Sequence, residues 1–234
     1  MGGRGSSSGA KGGRISKASE ARNFYELKSY MESQGVKFGN GLENMDLGLL
    51  KSAAEEIQYF RQEFPQAASA FSELNGEEAR ANVYASANRT TGNIQLSNMM
   101  SNAENVKQTY ERDVSRGYHP SGTTANHIVT HENGHILEKA LLDKTYANDP
   151  SGRQKAFRKR SEANKIVIRA YKEVGKTPEG KNMGISSMIG QISRYAAKNS
   201  SETIAEAVAD YRANGAKAKP LSRAIWSELK KELG

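Results

Sequence analysis

The chain has 234 residues, 36% of them hydrophobic, and a formal net charge of +8. That length suits one domain with a tail, or two small ones, and is enough to bury a sizeable core. No apolar run approaches membrane-spanning length, no secretory leader pattern opens the chain, and the absence of cysteine excludes disulfides and thiolate metal ligands.

In chain order, residues 1–18 are rich in Gly, Ser and basic side chains and cannot bury apolar surface, so they read as a disordered tail. The folded unit is then 19–234, with a helical part over 19–78 and a second part over 79–234. Phe24, Leu27 and Met31 mark a helix that Gly35 ends. Asp46 reads as the N-cap of a second helix, with Leu49, Leu50, Ala53, Ile57 and Phe60 on one face and Pro65 as its stop. A short helix is predicted around Ala67–Leu74, leading to a turn at Asn75-Gly76. Over 81–97 the period changes to two: Val83, Ala85 and Ala87 alternate with polar residues, as do Ile94 and Leu96, with turn chemistry between them. That predicts a hairpin. A helix from about Ala103 to Arg116 follows, then a turn at Gly117-Tyr118-His119-Pro120.

The stretch TTANHIVTHENGHILEKALLDK, from Thr123 to Lys144, contains His131-Glu132-Asn133-Gly134-His135. On a helix, residues four apart lie one above the other, so both imidazoles of an H-E-x-x-H pattern can reach one zinc ion. Glu132 points near that ion without binding it and can serve as general base toward water. Thr123 or Thr124 is the expected N-cap. Val129, Ile136, Leu137, Ala140 and Leu141 fall on one face and His131, Glu132 and His135 on another, which predicts an amphipathic helix at a cleft wall. A basic helix over about Gln154 to Val174 is next, carrying Arg153, Lys155, Arg158, Lys159 and Arg160 at its start. Residues 175–184 read as a loop or mobile lid.

A catalytic zinc site needs three protein ligands and an open position. Asn199 and Ser200 read as helix caps, and Glu202 and Glu206 share one face of the helix they open, flanked by Ala205 and Ala209. Small residues let two helices approach closely, so Glu202 is the predicted third ligand. Glu206, one turn on, is placed to accept from the free nitrogen of a ligating histidine. Asn199-x-x-Glu202 also fits a capping box, in which Glu202 only satisfies backbone amides. His127 reads as a cleft-lining or solvated histidine and His119 as structural.

H-E-x-G-H followed by Tyr-Ala-Ala-x-Asn-x-x-Glu-x-x-Ala-Glu-Ala-x-Ala-Asp-Tyr resembles the lethal-factor-like zincin metallopeptidases, found in bacterial toxins and in phage or prophage proteins, some attached to minor head proteins. The resemblance covers roughly residues 80–215, with specific motifs at 131–135 and 195–211. It implies an α+β, predominantly helical, zincin-like fold with a small sheet beside the H-E-x-x-H helix. It implies Zn2+ on His131, His135 and Glu202, Glu132 as general base, Glu206 beside the ligands, and Tyr195 as the hydroxyl that stabilises the oxyanion. Gly92–Leu96 falls on the substrate-side strand, and 117–120 on the lead-in to the motif helix.

The expected function is a zinc-dependent endopeptidase acting on a peptide or protein substrate, phage- or mobile-element-encoded. Two other classes stay open. One is a virion or mobile-element structural protein that keeps the fold for partner binding, with phage structural proteins as partners. The other is a nucleic-acid binder using the basic tail and the 153–160 cluster, where no aromatic residues interleave as a stacking platform requires. No membrane partner is predicted. The chain is expected in the cytoplasm at synthesis, with virion association or a non-classical route out.

Overall fold

The computed structural model describes residues 15–77 and 83–234. Local signals account for most boundaries. Helix α1 (Phe24–Ser33) starts where the Asn23 side chain accepts the Glu26 amide, and it buries Leu27 and Met31. After a short strand β1 (Lys37–Phe38), helix α2 (Leu47–Glu63) is capped by Asp46 on the Leu49 amide and turns Leu49, Leu50, Ala53, Ile57 and Phe60 inward. Residues 15–18, assigned to the tail by composition, behave otherwise: Ala18 is buried and Ile15 packs against the core. The rest of that tail, and the 78–79 boundary, lie outside the described residues.

The predicted Ala67–Leu74 helix does not form. A 3-10 turn over Pro65–Ala70 gives way to strand β2 (Glu73–Glu77), so Asn75-Gly76 lies within a strand. Pairing on both sides overrides the local turn preference, because β2 runs parallel to β1 and to β4 (Asn93–Ser97). Gly76 is suited to that place: a Cβ there would sit 2.3 Å from the Gly41 carbonyl oxygen. Strand β3 (Ala85–Ala87) closes the predicted hairpin, antiparallel to β4. The sheet order is β1-β2-β4-β3. Strand β4 is therefore interior and β3 the edge, which overturns Gly92–Leu96 as the substrate-side strand: both edges of β4 are already occupied by partners.

The molecule is 66% helix with a small mixed sheet, an α+β architecture. Helix α3 (Ala103–Ser115) leads to a 3-10 turn over Ala125–His127, held by the Thr124 amide donating to His127 Nδ1 at 3.1 Å. Helix α4 (Ile128–Thr145) then runs through the centre. It is not amphipathic as predicted. Glu132, Asn133, Gly134 and His135 are buried along with the apolar positions, because α2, β3 and a later helix, α8 (Ser200–Asn214), all pack on α4. The single basic helix over 154–174 is instead two, α5 (Pro150–Lys159) and α6 (Ser161–Val174). Asp149 caps α5 early, and Arg160 breaks the run with a left-handed backbone, φ 51°. Helix α7 (Ile185–Ile192) follows, and helix α9 (Pro220–Leu233), after α8, closes the chain. Among the described residues no helix is long and apolar enough to cross a membrane.

Two features set the spacing at the centre. Phe60 of α2 and Phe64 just past its end meet Trp226 of α9, with centroids 5.9 and 5.0 Å away, and Tyr211 of α8 stacks on the same indole at 4.5 Å. Glu56 of α2 accepts from Thr130 of α4 at 2.9 Å and pairs with Arg212 of α8 at 2.9 Å. Between these anchors α4 and α8 come into backbone contact, since a Cβ on Gly134 would lie 2.6 Å from Ala205 Cα.

Gly134→Ala therefore tests the contact. Helix propensity alone favours alanine by about 1 kcal/mol, but overpacking costs about 1–3 kcal/mol, and here the obstacle is backbone. A net loss of about 1–2 kcal/mol is expected in denaturant unfolding. Unchanged or raised stability would show that Gly134 does not set the helix separation.

Candidate metal centre

The close crossing of α4 and α8 places four-residue spacings from each helix face to face. From α4 come His131 and His135, and from α8 come Glu202 and Glu206. Asn199 caps α8 by itself, its side chain accepting the Ser201 and Glu202 amides at 3.0 and 3.2 Å. The Glu202 carboxylate is thus free of the capping role and turns to the histidines. Its Oε2 lies 3.3 Å from His131 Nε2 and 3.3 Å from His135 Nε2. Glu202 Oε2 is buried, yet it accepts no aligned hydrogen bond from either ring. A buried carboxylate oxygen that meets two imidazole nitrogens without an aligned hydrogen bond fits a shared ion, and His131, His135 and Glu202 form a group that could hold a metal.

Glu206 braces this group. Its Oε1 lies 2.8 Å from His131 Nδ1, in an oblique approach, and 3.1 Å from His119 Nδ1. Its Oε2 accepts from Ser193 Oγ at 2.8 Å. The same Ser193 hydroxyl accepts the Ala196 amide, fixing the turn that carries Tyr195. The Arg194 and Tyr195 amides in turn donate to the carbonyls of Gly117 and Tyr118, which brings Tyr195 beside His119 and His131 with centroids 5.9 and 5.6 Å apart. His119 stacks flat on Tyr110 at 4.8 Å.

Electrostatics follow the geometry. Burial opposes the charged form of His131, but Glu202 and Glu206 outweigh it and hold the imidazole well above its ordinary value. Burial likewise opposes ionisation of Glu202 and Glu206, yet the neighbouring histidines keep both carboxylates below the usual range. Burial, then the nearby carboxylates, raise the Tyr195 hydroxyl, so it stays protonated at neutral pH.

His131, Glu132 and Tyr195 line a cavity of about 610 Å³, bordered by β3 and the C-terminal half of α3. The structure thus brings together all the sequence-derived site residues: His131, His135, Glu202 and Glu206 in contact, and Glu132 and Tyr195 on the cavity wall. His127 stands apart as the brace of the turn before α4, its protonation disfavoured first by burial. Sequence reasoning missed Ser193 and Tyr110, and it left His119 structural although it shares Glu206 with His131. The one signal available was Ser193 lying two residues before Tyr195.

No family model, curated protein or solved structure matches this chain.

Two outcomes are expected. In metal-free protein the stability from His131 is full below about pH 6.5 and lost as pH rises through its raised folded value. That from Glu202 and Glu206 is full above about pH 4.5 and lost as pH falls through their lowered values. Between these limits an incoming divalent ion must displace the His131 proton. Calorimetric heats of metal binding at neutral pH should then vary with the ionisation enthalpy of the buffer, whereas buffer-independent heats would mean that no proton is displaced. Glu206→Gln should weaken metal affinity about 10–100-fold. Undiminished affinity would remove Glu206 from the support of the ligands.

Proposed function

We propose that the chain is a zinc-dependent endopeptidase of the lethal-factor-like zincin type. The observation that carries this reading is the 3.3 Å spacing of Glu202 Oε2 from both histidine Nε2 atoms. Tetrahedral arms of about 2.0–2.1 Å, as zinc takes with imidazole and carboxylate, separate neighbouring ligand atoms by about 3.3–3.4 Å. The two-nitrogen, one-oxygen donor set fits the same ion, and three protein ligands leave a position open.

When bound, zinc supplies Lewis acidity toward a carbonyl oxygen and toward water near neutral pH. The chain supplies the rest. Glu132, buried on the cavity wall, takes a proton from the attacking water and passes it to the departing amine. Tyr195, kept protonated by its raised pKa, donates a hydrogen bond to the carbonyl oxygen as negative charge grows there. His119 and Ser193 fix Glu206, and Glu206 fixes His131.

The edge strand supplies the backbone contact. Ser97 donates to the Tyr84 carbonyl and Asn88 to the Asn93 carbonyl, so the ladder bonds of β3 fall at even positions. Alternation then aims the amides and carbonyls of Ala85 and Ala87 away from β4, toward the open side. Tyr84 and Ala85 border the cavity, so an extended peptide pairing with β3 would pass over Glu132 and the metal ligands.

Glu132→Gln should lower peptide hydrolysis by about 10²–10⁴-fold with zinc still bound, and Tyr195→Phe by about 10²-fold, mainly in kcat. Elemental analysis checks the first half: zinc is kept in Glu132→Gln and lost in His131→Ala and in Glu202→Ala. A zinc-loaded, fully active Glu132→Gln enzyme would sink the mechanism.

A further inference from the structure

The peptidase reading leaves open which side chains a substrate carries, and the cavity wall speaks to that. We infer that the cleft selects peptides with acidic side chains flanking the bond to be cut. This rests on the proposed function and deepens it.

Two acids line the cavity, Glu132 and Asp113, against three cations, Arg112, Arg116 and Lys198. The wall therefore carries one positive charge in excess. Asp113 accepts from the Tyr84 hydroxyl at 2.7 Å, and Glu132 is assigned to proton transfer. Glu202 and Glu206, deeper in, face the ring nitrogens of His131, His135 and His119, and a bound divalent ion would balance their charge.

The cations themselves have no carboxylate partner among the described residues. Arg89, Arg153, Arg169, Arg212 and Arg223, away from the cavity wall, each hold one. Arg112 and Arg116 stand four residues apart at the C-terminal end of α3, on one face and exposed. On the same cavity wall, exposed Lys198 holds its ammonium 3.8 Å over the Tyr195 ring, beside the reacting centre. A cleft whose exposed rim carries an excess of one sign concentrates ligands of the other sign.

Nucleic acid also carries negative charge, but the rings here are turned to one another. Tyr110 lies flat on His119, and Tyr118 packs against Tyr195 at 5.1 Å. The stacking platform that single strands use is therefore already filled from within. An extended acidic peptide needs only the β3 edge and the cationic rim.

The test uses zinc-loaded Glu132→Gln protein and short labelled peptides, identical except for paired Glu, Gln or Lys around a central Ala-Leu. By fluorescence anisotropy at low salt the Glu peptide should bind about tenfold tighter than the Lys peptide, the gap closing as salt rises. Arg112→Glu combined with Arg116→Glu should invert that order. Equal affinities, or an order that the double substitution does not move, would overturn the inference. Displacement of the Glu peptide by sub-stoichiometric single-stranded DNA would overturn it in favour of nucleic acid. Cleavage by the unmutated enzyme separates the two claims. Charge-selective binding with no peptide cut would remove the peptidase reading and leave the acidic preference standing. Cleavage of all three peptides at equal rates would do the reverse.

Discussion

The contact of Gly134 with the Ala205 backbone is the constraint on which the site depends. Only at that separation do side chains as short as Glu reach from α8 to the imidazoles of α4. A wider crossing would put Glu202 Oε2 beyond the 3.3 Å that it keeps to both histidines. The separation is fixed from several sides at once. Buried Ala207, Val208 and Ala209 follow Ala205 along α8, Glu56 ties α2 to α4 and α8, and the Trp226 cluster locks α2, α8 and α9. Packing of this density is bistable rather than elastic, so the ligand spacing does not drift continuously with small strains.

Bringing two helices together on carboxylates and histidines is costly, because each buried charge must find a partner. The structure meets that cost residue by residue. Glu206 has His119, His131 and Ser193; Glu138 has Arg89 at 2.9 Å and Ser201 at 3.0 Å; Asp210 accepts from Asn214 and the Lys219 amide. Away from the ligand atoms, Asn133 of the central helix is left without this: it is fully buried, and neither amide atom has a partner among the described residues. Such a group costs stability, so the central helix trades some of it for the polar residues it carries.

How much of this was legible in the sequence differs by element. The helix caps at Asn23, Asp46 and Asn199 were readable because a cap is a local hydrogen bond made by the residue itself. The site was readable because helical spacing fixes side-chain direction: His131 and His135 on one helix, Glu202 and Glu206 on another, needed only a reason to face each other. Strand β2 was not readable. Asn75-Gly76 signals a turn locally, and only its long-range partners β1 and β4 make it a strand. Nor was the identity of the edge strand. A hairpin pattern in 83–97 says that two strands pair; it cannot say that β4 also takes β2 on its far side. The burial of α4 all round was hidden for the same reason, since its polar face is covered by α8 rather than by water.

The hairpin and the metal ligands are also joined by a single rigid path. Glu138 stands three residues beyond His135 on α4, and its carboxylate holds Arg89 in the β3–β4 turn, while Arg89 also bonds Ser201 Oγ one residue before Glu202. The Arg89 guanidinium further stacks on Phe157 of α5, 4.7 Å from its centroid. The strand edge proposed to hold substrate is thus fastened to both ligand-bearing helices within a turn of the ligands. Side chains placed on such mutually locked elements keep their geometry better than those on free loops. On the proposed reading, the register of a peptide on β3 relative to Glu132 is set by the fold itself, and specificity is left to the charged rim of the cavity.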